Sequence, residues 1–164
     1  MGATGVRPFP ATVGKASAAK AIALGGFIAG TLDIVAAIAS TVSTGSSPIR
    51  MLQGIASGLM GRSSFHGGAA TAALGLACHF VIAFGAAAMY YAVSRVMPVL
   101  VRRAVICGLL YGIPVYLVTN FVIVPLSAIG RTLPQTVPGV IIGLLVLSVG
   151  VGLPIGLATK RYSN

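Results

Sequence analysis

A chain of 164 residues that is 57% hydrophobic and only 7% charged cannot coat a water-facing surface, because soluble domains carry about 25% charged residues. With a mean hydropathy of +1.01, it reads as an all-α integral membrane protein. The net charge of +10 resembles a nucleic-acid signature, but the placement of the charges argues against that partner. Its eleven basic residues fall in the gaps between apolar runs instead of along one face, the pattern that orients a membrane protein and draws it to anionic lipid.

Residues 1–19 form a basic tail with Arg7, Lys15, Pro8 and Pro10. A signal peptide competes for this region, since a basic start leads into an apolar run ending in Ala37-Ile38-Ala39. That run exceeds the ~7–15 residues of a signal core and contains Asp33, so retention is favoured. Residues 20–161 are expected to form one four-helix transmembrane domain, with 162–164 as a short end.

Helix 1 is predicted over Lys20–Ser43. Asp33, the only acidic residue in the chain, sits near its middle, where an unpaired carboxylate costs at least about 2.5–3.5 kcal/mol. Gly26, Gly30, Asp33 and Ala37 share one small helical face, which leaves Phe27, Ile34 and Ile38 expected toward lipid. Ser47-Pro48 is a helix start, serine capping and proline first. Ile49, Leu52, Ile55, Ala56, Leu59 and Met60 follow at helical spacing. They predict a helix over Ser47–Gly61 lying in the outer interface or dipping in as a re-entrant segment.

Helix 2 is predicted over Gly68–Val96, ending before Pro98, with His79 on a small face beside Gly75 and Ala83. Helix 3 follows over Ala104–Ser127. In it Gly108, Gly112, Tyr116 and Asn120 recur every four residues, and Pro114 predicts a bend. A loop over 128–137 carries Arg131, and helix 4 runs over Pro138–Thr159 with Gly139 and Gly143. Eight basic residues in the tails and second loop against three in the other loops predict both termini in the cytoplasm of a bacterial inner membrane. The segments Gly26–Gly30 and Gly108–Gly112, GFIAG and GLLYG, hint at a parallel duplication of two helical hairpins.

Counting residues puts Asp33 about 15 Å and His79 about 16 Å from one face of the membrane, with Tyr116 and Ser148 at similar depth and Asn120 just outward. These five form the candidate polar centre. A structural lock, Asp33 accepting hydrogen bonds from His79, Tyr116 or Asn120, is favoured over a proton relay or cation path. Haem ligation through His79 lacks a second histidine at matching depth, as His66 lies in a loop. Cys78 and Cys107 sit at different depths and show no metal-binding spacing. No cofactor and no metal are expected. Neither a serine–histidine–acid set nor a phosphate-binding loop is present, so no catalytic residue is expected.

Gly75-Leu76-Ala77-Cys78-His79-Phe80-Val81-Ile82, the Tyr90-Tyr91 to Pro98 exit, Gly108-Leu109-Leu110-Tyr111-Gly112, and Asn120 to Pro125-Leu126 loosely resemble YagU-type small bacterial inner-membrane proteins over about half the chain. That family has no established biochemical activity; the resemblance implies a helical membrane protein with a suggested role in acid tolerance. The chain departs from it in lacking a long acidic first loop. The expected function is therefore non-catalytic: packing through Gly26, Gly30, Gly108, Gly112, Gly139 and Gly143 into a homo-oligomer or a larger membrane complex. The alternative is a small proton- or cation-linked transporter or channel using Asp33 and His79.

Overall fold

The computed structural model describes residues 15–128 and 136–163; the predicted tail with Arg7, Pro8 and Pro10, and the loop residue Arg131, lie outside these. The fold is all-α, with no strand among the described residues. Four helices are long and apolar enough to cross a membrane: Ser17–Ser43, Gly68–Val96, Ala104–Leu126 and Val137–Ser163. They are called the first to fourth spans below. This is the architecture of a small multi-pass membrane protein.

The end signals act locally. Gly68 has φ 57, a left-handed conformation glycine adopts without a Cβ penalty, and the second span starts there. Its exit is Met97 (φ −122, ψ 85), out of the helical region that the following proline disfavours. Thr136 caps the fourth span by accepting the Gly139 N–H at 3.2 Å, and that helix continues to Ser163, past its predicted end. The connecting helix between the first two spans covers Pro48–Met60. Ser47 holds its N-cap position, but its side chain makes no capping bond. Proline at the first helical position sets this start instead.

Two departures from α geometry decide the shape of the interior. A π-helical turn covers Thr119–Ile123 in the third span, and another covers Leu147–Gly152 in the fourth. Each closes on the residue just before a proline: the Val124 N–H donates to Thr119 O, and the Leu153 N–H to Ser148 O. Pro125 and Pro154 lack a donor, and their rings would crowd the carbonyls four residues back. A wider turn relieves that conflict. Pro114, where the sequence predicts a bend, lies inside an α-helical stretch running unbroken over Ala104–Val118.

The close-packed order of spans is second, first, fourth, third. Gly26 and Gly30 on the first span receive Phe84 and Phe80 of the second. Gly108 and Gly112 on the third span receive Gly152 and Ser148 of the fourth, backbone against backbone. Tyr111 bridges to the second span, donating to Ala86 O at 2.9 Å and meeting Tyr90 edge-on at 5.0 Å. Tyr90, only 1% exposed, donates to Leu100 O at 3.0 Å. Ile34 is buried, at 6% exposure, not turned to lipid as expected. It follows Gly30 by four residues and shares its inward face, whereas Phe27 is exposed at 60%.

Candidate intramembrane site

The first span carries Asp33 and the second carries His79, and the Gly30/Phe80 contact brings them level. His79 Nδ1 stands 3.9 Å from Asp33 Oδ2. Its other ring nitrogen, Nε2, lies 2.8 Å from the Gly30 carbonyl. A carbonyl oxygen only accepts, so Nε2 carries a hydrogen and donates it. Nδ1 is thereby left toward the carboxylate. Among the described residues His79 is the one ion-pair partner of Asp33, at a separation beyond hydrogen-bond reach.

Both side chains open into a cavity of about 940 Å³ between the four spans. The first span contributes Gly30, Asp33 and Ile34, the second His79 and Ile82, the third Tyr116, Thr119 and Asn120, and the fourth Gly143 and Val151. The π-helical turns supply part of this wall, through Thr119, Asn120, Leu147 and Val151. Such turns recur at functional sites because they displace side chains from the regular helical register.

The connecting helix closes one end. Gln53, buried at 4% exposure, donates to Gly68 O at 3.0 Å, and Thr71 donates to Ser64 O at 2.6 Å. Gly75 lies directly against the Leu52 carbonyl. Since Gly75 is seven residues into the second span, about 10 Å along it, the connecting helix runs beside that span rather than resting on its tip. The Ala128 N–H donates to Gly58 O at 2.8 Å and fastens the same helix to the end of the third span. Met51, Gly54, Ile55, Ser57 and Gly58 face the cavity, and Arg62 and Phe65 line its rim.

Of the five predicted polar residues, Asp33, His79, Tyr116 and Asn120 line the cavity and Ser148 does not. Ser148 lies with its backbone and Oγ on Gly112. Asn120 donates to Tyr116 O at 3.0 Å, within its own helix. Among the six packing glycines, Gly143 lies against the Tyr116 ring, while Gly139 is exposed and meets its own cap, Thr136. Sequence reasoning did not anticipate Arg62, Ser57 or the π-helical turns; prolines 125 and 154 were the available signal for the turns. No group of three or more His, Cys, Asp or Glu that could hold a metal exists among the described residues. No family model, curated protein or solved structure matches this chain.

Proposed function

We propose that this chain is a small proton- or cation-linked transporter whose solute occupies the central cavity, with Asp33 and His79 as the groups that exchange a proton. The observation that carries this reading is the exposure of the pair to an interior space. The Asp33 side chain keeps 27% of its surface accessible and His79 keeps 13%, and both border the 940 Å³ cavity. A lock would be expected to enclose its carboxylate in hydrogen bonds, because an unsatisfied ion in hydrocarbon is expensive. Here the only acidic side chain faces open volume, and among the described residues its one ion-pair partner stands at 3.9 Å.

Packing with other copies through glycine faces draws less support. Gly26, Gly30, Gly108 and Gly112 are buried against neighbouring spans of the same chain, which leaves Gly139 as the exposed member of the set. The reading assigns no bond-making chemistry to the chain. It places the protein in a bacterial inner membrane with both termini in the cytoplasm, on the distribution of its basic residues.

The test is proton movement in liposomes containing the purified full chain and an internal pH dye. Flux is started by an imposed potential or by external monovalent cations. Wild-type liposomes are expected to exceed those bearing Asp33→Asn by at least about tenfold, that is, by about 1.4 kcal/mol in the barrier. Equal rates in wild type, Asp33→Asn and protein-free liposomes would overturn the reading.

A further inference from the structure

We infer that the cavity binds a small apolar organic monocation, and that each cation bound displaces one proton from the Asp33–His79 pair. The inference rests on the transport reading of the same site and adds its ligand class and stoichiometry.

The proton count follows from the bonds. Nε2–H is committed to the Gly30 carbonyl at 2.8 Å. If the imidazole were neutral and Asp33 ionised, the Nδ1 lone pair would face a carboxylate in a medium that screens poorly. One further proton removes that conflict, either on Nδ1, giving an imidazolium–carboxylate pair, or on the carboxyl oxygen. In both arrangements the pair is neutral and holds one exchangeable proton. A cation entering beside Asp33 takes the place of that positive charge. The carboxylate then faces the ligand, the imidazole returns to neutral with Nε2–H still bound to Gly30, and one proton leaves to water.

Other charged or titratable groups facing this space are few. The third span offers Tyr116 and the rim offers Arg62. The described cavity residues of the connecting helix and the fourth span add none. Asp33 is therefore the one anion available to any ligand.

Ligand class follows from what else lines the wall. Ca²⁺ and Mg²⁺ take six or more oxygen ligands and Zn²⁺ about four ligands, and no group of three His, Cys, Asp or Glu that could hold a metal exists among the described residues. Ile34, Ile82, Val115, Ile123 and Val146 offer apolar surface, which favours a ligand with an apolar body. The Tyr116 side chain also borders the space, and an aromatic ring can attract a cation over its face; the Phe65 ring already carries the Arg50 guanidinium at 5.8 Å. At about 940 Å³ the volume lies within the ~300–1,000 Å³ of small-molecule sites.

The experiment uses the purified full chain in detergent, with tetraphenylphosphonium and the smaller benzyltrimethylammonium as probes. Expected is saturable binding of at least one probe, with about one proton released per cation at low pH. The dissociation constant should weaken by about tenfold for each unit the pH falls while the pair is protonated. Asp33→Asn should lose both binding and proton release while eluting as a single folded species. Should that variant misfold, proton release and pH dependence in wild type decide alone. Binding of neither probe, binding without proton release across the pH range, or undiminished binding by folded Asp33→Asn would overturn the inference. Proton flux driven by inorganic cations with no probe binding would sink this inference while leaving the transport reading in place.

Discussion

The two hairpins of this bundle begin from the same device and end differently. Each opens with a pair of glycines four residues apart, Gly26/Gly30 in one and Gly108/Gly112 in the other, aimed at the following span. In the second hairpin the glycines meet backbone, the Gly152 carbonyl and the Ser148 main chain, and the helices close on each other. In the first, Gly26 meets both the ring and the Cα of Phe84, while Gly30 meets the Phe80 ring and Ala83, with His79 set on the Gly30 carbonyl. Small-on-small packing produces a seal. Small-on-aromatic packing, with a histidine beside it, produces a site.

That contrast can be broken by mutation, and the largest effect should come from the seal. A Cβ on Gly112 would collide with the Ser148 backbone, which has nowhere to move. Gly112→Ala is expected to cost the upper part of the ~1–3 kcal/mol typical of overpacking. Gly30→Ala should cost less, because its Cβ would meet the edge of the Phe80 ring at 2.8 Å, which can rotate, and Ala83 Cβ only at 3.1 Å. Thermal unfolding in detergent checks the ranking. Equal losses at the two positions would remove the distinction between the hairpins.

A middle-sized effect is expected where the connecting helix seats. Gly75→Ala puts a methyl group into the Leu52 carbonyl and should lift Pro48–Met60 from the second span at about 1–3 kcal/mol. Faster modification of a cysteine placed at Ala56, which is fully buried, would report the detachment. Unchanged protection would show that the Gln53 and Ala128 bonds hold the helix without that contact. The smallest effect belongs to the bridge between hairpins. Tyr111→Phe deletes one hydrogen bond to Ala86 O, and interhelical bonds of this kind average about 0.6 kcal/mol.

Much of the architecture is legible in the sequence because hydropathy in a membrane chain leaves little choice. The second span matches its predicted bounds, Gly68–Val96, residue for residue, since a positive-φ glycine and a proline punctuate it. The depth count that levels Asp33 with His79 is legible for the same reason: rise per residue is fixed once both ends are marked. What a face packs against is not legible. Depth counting groups Ser148 with the polar layer, but only the assembled bundle turns it onto Gly112. Ile34 reads as a lipid-facing isoleucine until the neighbouring spans cover it. The cavity wall includes two widened turns whose cause, a proline two residues beyond each, is local, while its consequence is tertiary.

The account depends on a protonatable carboxyl group sheltered inside the bundle yet open to its cavity. Asp33 is the only acidic side chain, so a single chemical modification can report on it. Dicyclohexylcarbodiimide, an apolar reagent that captures protonated carboxyl groups, can be applied to the folded protein in detergent and read by intact mass. The account predicts one adduct that forms more slowly as pH rises and is missing from Asp33→Asn. An adduct count identical in wild type and Asp33→Asn at every pH would contradict it.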